Sequence, residues 1–169
     1  MAVRNLTHGT LVIKDGTSTP KTLTIPIMEG DLEFTEEQEA QTILNRGVLK
    51  EFTKGPEAPV SIRFSMTFEE WRGKPASTVP SVPDALKQRN EASSWTSTST
   101  NEQGPYVVDL VFTLDAVQAT GTGDFDEELK FSQFHCDSLR FSEGQDANRI
   151  EVSGKALVTT PVSTRAAHN

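Results

Sequence analysis

Apolar residues recur at every second position in four stretches of this chain. Leu23, Ile25 and Ile27 alternate with Thr22, Thr24 and Pro26. Val60, Ile62, Phe64, Met66 and Phe68 alternate with Ser61, Arg63, Ser65 and Thr67. Tyr106, Val108, Leu110, Phe112 and Leu114 face away from Asp109, Thr113 and Asp115, and Ile150 and Val152 from Glu151 and Ser153. Period two sends neighbouring side chains to opposite faces, so each stretch reads as a strand with one apolar and one polar face. Leu129 and Phe131 share one phase, Phe134 and Cys136 the other, and Leu139 and Phe141 return to the first. Bulges near residues 132–133 and 137–138 reconcile them. Gly30 marks a similar break between Ile27 and Leu32.

One short helix is predicted over residues 82–90. Ser81 caps it, Asp84 completes the S-x-x-D box, and Pro83 suits the first turn. Val82, Ala85, Leu86 and Arg89 form its narrow face, and Trp71 and Trp95 bracket it, packing it against a sheet. Residues 72–80, 93–105 and 121–128 read as loops. Residues 1–9 and 161–169 carry no core-directed pattern and read as free ends or arms that order on a partner. Residues 35–45 are ambiguous. Thr35 and Gln38 form a helical capping box, with Ala40, Ile43 and Leu44 on one face. The same residues also read as one side of a long hairpin that turns at Asn45-Arg46-Gly47 and returns through residues 48–52. With no internal repeat and no linker, the fold class is mainly β: one antiparallel sandwich or barrel with a flanking helix.

Charge adds a further feature. Glu29, Asp31, Glu33, Glu36, Glu37 and Glu39 fall within eleven residues that contain no base. Asp31 and Glu33 share one strand face, opposite Leu32 and Phe34, so the pattern predicts an acidic sheet face. The formal net charge of −8 argues against tight binding to nucleic acid, which requires Lys and Arg at phosphates. A surface that polyanionic DNA passes without sticking is compatible with it, as is an ordinary soluble acidic protein.

Chemistry is sparse. Cys136 is the only cysteine, which excludes an internal disulfide and the usual zinc sites and suggests a reducing compartment. The first residues lack a signal-peptide pattern, and no run approaches the ~18 apolar residues of a membrane helix. His135 adjoins Cys136 but faces the other way along a strand, so the two make a poor nucleophilic pair. No nucleophile elbow, zinc helix, P-loop or dinucleotide fingerprint is present. Asp124, Asp126, Glu127 and Glu128 lack the calcium-loop spacing and read as a solvated acidic loop. No catalytic residue, metal ligand or cofactor is assigned.

The order of segments is more specific. TLTIPIMEGDLEFTEEQ is followed by TILNRGVLKEFTKGPEAPVSIRFSMTFEEW: an acidic stretch, an NRG turn, a charged corner, then a strongly alternating strand. With the later helix, the strand near 106–116 and a closing hairpin at 127–160, this resembles the tail tube (major tail) protein of long-tailed, non-contractile bacteriophages. The resemblance spans residues 9–160. It implies a β-sandwich or barrel, a fold shared by contractile-phage and type VI secretion tubes. It also implies rings, typically of six subunits, that stack into a hollow tube whose inner strands join around the lumen. The implied hairpin arm spans residues 29–58, with Glu36, Glu37, Gln38, Asn45, Arg46 and Gly47 as inter-ring contacts and strands rather than helix at 35–45. Terminal arms would be residues 1–8 and 161–169. Asp31, Glu33, Ser61, Arg63 and Ser65 would face the lumen, with Arg63 held by a neighbouring carboxylate.

The partners implied are further copies of the chain, a tape-measure protein in the lumen, tail terminator and distal tail proteins at the tube ends, and DNA in transit without specific binding. The implied location is the virion tail, with assembly in the host cytoplasm and no membrane insertion. Two other classes stay open on the residues alone. A carbohydrate-binding or adhesin-like sandwich would expose Trp71, Trp95 or Tyr106 as a stacking platform. An acidic hydrolase would hold two close carboxylates, one with a raised pKa.

Overall fold

The computed structural model describes residues 9–25, 27, 31–67, 79–114, 125–143 and 149–167. Outside them lie the expected arm 1–8, the Gly30 phase break, Trp71 and residues 72–78, residues 121–124, and His168 with Asn169. The strands are β1 Gly9–Lys14, β2 Thr22–Ile25, β3 Glu33–Thr35, β4 Gln38–Asn45, β5 Val48–Glu57, β6 Val60–Thr67, β7 Val108–Leu114, β8 Phe125–Ser142, β9 Arg149–Ala156 and β10 Val162–Ala167, with helix α1 at Val82–Lys87. The mainly β antiparallel class is as expected. One sheet runs in the order β2-β1-β7-β8-β9-β6-β3, with β10 also on β8; β4 and β5 form a separate two-stranded sheet.

The inward residues of β1, β2, β6, β7, β8 and β9 join those of α1 in one buried cluster. The sheet curls to enclose it. Phe34 on edge strand β3 meets Phe131 on β8 edge-to-face, with ring centroids 5.2 Å apart, although β6 and β9 lie between the two strands in the sheet. Phe131, Phe134, Ile62, Met66 and Leu110 are fully buried. Each side chain of this size stabilises the fold by roughly 1.5–3 kcal/mol relative to exposure.

Both phase breaks in β8 are real. Gln133 has φ 54, where the β7–β8 register shifts between Val108 and Leu110. The β8–β9 register shifts between Cys136 and Ser138. Each bulge inserts a residue and returns the apolar side to the core. At the second bulge Gly154 of β9 is required. A Cβ there would stand 2.1 Å from the His135 carbonyl oxygen and 2.6 Å from the Phe134 ring.

Helix α1 ends earlier than expected, because Gln88 takes the left-handed conformation at its C-cap. Ser81 caps it as foreseen, accepting from Asp84 N at 3.4 Å. Val82, Ala85 and Leu86 are buried, while Arg89 lies beyond the helix and is exposed. Trp95 is 5% exposed, and its carbonyl accepts from Gln88 Nε2 at 2.7 Å, so it packs beside the helix as expected.

Three readings need correction. The acidic loop ends before residue 125: Asp126, Glu127 and Glu128 are in β8, paired with β10 and, at the two glutamates, with β7. Flanking partners on both sides complete the backbone ladder there, which outweighs the polar composition. Residues 162–167 are not a free end but strand β10, in register with Phe125–Lys130 of β8. Phe134 pairs with both β7 and β9 and Lys130 with both β7 and β10, so β9 and β10 follow one another along the same side of β8. The pairing is a backbone effect; Val162, Ser163, Thr164 and Arg165 are exposed and give no apolar signal. Finally, β1 supplies the fully buried Leu11 and Ile13, a strand that the sequence pattern left unassigned.

Candidate assembly surfaces

Strands β3, β6, β9 and β8 turn one polar face outward. Register sets its rows. Glu33 lies opposite Arg63, Arg63 opposite Ser153, and Ser153 opposite Ser138. One step along, Ser65 lies opposite Glu151, and Glu151 opposite Arg140. Ser61 lies opposite Thr35 and Lys155 in the next row. The first two rows, with Asp31 and Arg149, line a concavity of about 480 Å³. Four of the five residues expected on one surface, Asp31, Glu33, Arg63 and Ser65, are therefore brought together, and Ser61 is adjacent. Ser65 is only 4% exposed. It lies beneath an ion pair in which Arg149 Nη2 donates to Asp31 Oδ2 at 2.7 Å and to Ser65 Oγ at 2.7 Å. The Ser65 hydroxyl in turn donates to Asp31 Oδ2. Arg149 Nε is buried without a hydrogen-bond partner among the described residues.

The face is not the acidic one that the local sequence suggested. Arg140 and Arg149 reach it from strands more than seventy residues away, beyond any local pattern. Nor does Arg63 hold the neighbouring carboxylate. Arg149 takes Asp31, and Arg63 has no ion pair among the described residues. The Arg140–Glu151 pair is long, at 4.0 Å, and mostly exposed.

The second surface is the β4–β5 hairpin, where the strand reading of residues 35–45 holds. Thr35, the expected helix cap, instead pairs with Ser61 at the end of β3. Arg46 has φ 52 and Gly47 φ 82. Two consecutive positive-φ residues make the two-residue turn whose twist suits a hairpin. Pairing runs from Asn45↔Val48 to Gln38↔Glu57. Nearly every hairpin residue is exposed, including Leu44 at 60%, Leu49 at 53% and Phe52 at 67%. Leu44 pairs with Leu49 and Thr42 with Phe52, so these three apolar side chains share a face. A two-stranded hairpin is at best marginally stable alone in water, and apolar side chains are bare on both of its faces in the single chain, with Ile43 and Val48 on the other side.

Other polar groups serve the fold. Asp15 is 3% exposed. Burial acts to raise its pKa, but hydrogen bonds from Thr17, Lys21 and Thr96 outweigh burial and lower it. Its carboxylate accepts from Thr17 Oγ1 at 2.8 Å and from Lys21 N at 2.6 Å. The exposed Glu57 is also shifted down, by Lys54. These are opposite to the raised carboxylate that an acidic hydrolase needs. Burial, helped by the Asp15 charge, pushes the Tyr106 phenol up. Burial likewise pushes up the Cys136 thiol. Lys87 Nζ donates to the Cys136 carbonyl at 2.6 Å and ties α1 to the second bulge. His135 donates from Nδ1 to the Tyr106 carbonyl at 3.1 Å, away from the buried thiol. No cluster of potential metal ligands occurs among the described residues. Trp95 is buried and Tyr106 half-buried, so neither forms an exposed stacking platform.

Sequence comparison finds no matching family model and no matching curated protein. The fold does match solved structures. One is a chain of the sheath/tube terminator of an extracellular contractile injection system (PVC) in its extended state, with a TM-score of 0.56 and 11% identity, covering 97% of this chain and 98% of that one. Another is a chain of the tube-terminating cap of the anti-feeding prophage, with a TM-score of 0.53 and 10% identity over 98% and 93% of the two chains. A chain of the six-fold symmetrised baseplate of that prophage gives 0.50 at 8% identity, over 99% and 98%. These particles include a contractile system, whereas the sequence resembled the non-contractile type. The chain shares the fold of these chains over essentially its whole length.

Proposed function

We propose that this chain is a structural subunit of a tail-type tube: copies form closed rings, the rings stack, and the stack encloses a channel that conducts DNA. The observation that carries this reading is the near end-to-end likeness of fold to chains from a tube terminator and a tube-terminating cap. Two features of the single chain support it. Among the described residues the main sheet has three strands with one unpaired edge, β2 and β3 at its ends and β10, which pairs only with β8, and pairing of such edges between copies would satisfy them. The β4–β5 hairpin carries an unpacked apolar face, which suits an arm laid on another ring. Its contacts are assigned to Glu36, Glu37, Gln38 and the turn at Asn45, Arg46 and Gly47. A contact of one surface with a different surface of the next copy does not close on itself and grows a filament. On this reading six subunits make a ring of the non-contractile type, the polar face of β3, β6, β9 and β8 lines the channel, and a tape-measure protein fills it before DNA does. Sedimentation over a range of concentrations tests the assembly. Species at multiples of 18.5 kDa, growing to large particles, support it; a monomer at every concentration rejects it.

A further inference from the structure

The polar face carries a charge pattern that no local sequence feature displays. Three carboxylates, Asp31, Glu33 and Glu151, and three guanidiniums, Arg63, Arg140 and Arg149, line the same concavity. They interleave. Asp31 is bonded to Arg149, Glu151 lies near Arg140, and Glu33 stands opposite Arg63 in register. The floor between Arg63 and Ser138 is neutral, with the Ser138 and Ser153 hydroxyls bonded to each other at 2.7 Å. Neighbouring strands lie about 4.8 Å apart, and same-face residues on one strand about 6.6 Å. Opposite charges therefore alternate over distances shorter than the Debye length of about 8–10 Å. Their fields cancel before reaching a molecule more than a few ångströms from the wall.

We infer that this face is a charge-compensated sliding surface for a polyanion: it neither repels nor grips a passing phosphate backbone, and Arg63 is the group that holds the balance. Grip requires cations in excess, because each neutralised phosphate adds to a salt-dependent affinity. Repulsion requires acids in excess, and the three arginines remove that excess. Arg63 is the balancing group because Arg149 is committed to Asp31 and Ser65, while Arg63 is exposed and has no ion pair among the described residues. Removing it leaves an acidic concavity without breaking a bond on which the fold depends. The proposal rests on the tube reading for its occupant, DNA in transit. The charge balance itself is a property of the described residues of the single chain.

The test is the near-surface potential, read by NMR on the soluble protein from the relaxation that a cationic and an anionic nitroxide cosolute induce at each amide. Equal effects of the two probes are expected at Arg63, Ser138 and Ser153, with the anionic probe depleted at Glu36, Glu37 and Glu39. Arg63→Glu should deplete the anionic probe across Ser138 and Ser153 by severalfold; Arg63→Gln should do so more weakly. If the anionic probe is excluded from the wild-type face as strongly as from Glu36 to Glu39, or enriched there, the inference is overturned. It is also overturned if Arg63→Glu leaves the probe ratio at Ser138 and Ser153 unchanged. Electron microscopy of the same protein separates the two ideas. An absence of rings and tubes would reject the tube reading and leave the measured charge balance standing.

Discussion

Arg149 Nη2 donates to Asp31 Oδ2 at 2.7 Å, joining residues 118 positions apart in sequence. The bond ties the residue leading into edge strand β3 to the first residue of β9, two strands away. Ser65 lies buried beneath it. Strand β3 is only three residues long, so this bond and the Phe34–Phe131 contact are its main side-chain anchors.

Asp31→Ala should therefore loosen β3 more than it lowers global stability. Both partners are partly exposed, which places the expected loss at about 1–2 kcal/mol, below that of a fully buried pair. Urea denaturation measures the global term. Hydrogen exchange at Phe34 and Thr35 should accelerate while that at Ile62 and Val152 stays close to wild type. Equal acceleration at all four would show that the pair supports the core and not the edge.

Two glycines separate two kinds of constraint. At Gly154 an added Cβ would meet backbone at 2.1 Å, so Gly154→Ala is expected to cost about 3 kcal/mol through overpacking at the bulge. At Gly47 nothing lies within 4 Å but φ is +82°, so Gly47→Ala should cost about 1 kcal/mol through the turn alone. Thermal melts should show a much lower Tm for the first variant and a body Tm near wild type for the second.

Asp15 predicts a pH dependence. Its folded pKa is lowered from 3.8, so the unfolded chain takes up its proton first as pH falls. The stabilisation is complete well above pH 4 and is lost as pH falls through the folded value. Asp15→Asn should be less stable than wild type at pH 7, and the gap should narrow by pH 3. A constant gap between urea midpoints at the two pH values would mean that the charge of Asp15 contributes nothing.

The hairpin should be dispensable for folding. β3 ends at Thr35 and β6 begins at Val60, and the residues of β4 and β5 add nothing to the core cluster. Replacing residues 38–57 by a short Gly-Ser turn should leave the Tm within a few degrees of wild type and abolish assembly. The milder Leu49→Ser with Phe52→Ser should weaken assembly with no change in Tm. Loss of the fold in both variants would show that the hairpin belongs to the core.

Much of this was readable from side-chain alternation, because a half-buried strand exposes its period directly. The strands at Val60–Thr67 and Val108–Leu114, the Ser81 cap and both β8 bulges followed from local pattern. What local pattern could not carry were features set by distant partners. β10 is held by its backbone ladder on β8, and its polar residues gave no apolar phase. The two guanidiniums that neutralise the acidic face arrive from β8 and β9 through register alone. The helical signal at Thr35 and Gln38 failed because β6 takes Thr35 and the Arg46-Gly47 turn folds the next residues back on themselves. Leu11, Val12 and Ile13 form a run of three apolar residues with no polar alternation, too short to stand out as a strand.

Assembly into a tube is the property on which the proposed function stands. Electron microscopy of the purified protein, beside the variant in which a turn replaces residues 38–57, tests it most directly. Rings with an open centre that stack into tubes are expected for the full chain, and no stacked tubes for the variant. Isolated 18.5 kDa particles for the full chain at every concentration would contradict tube assembly.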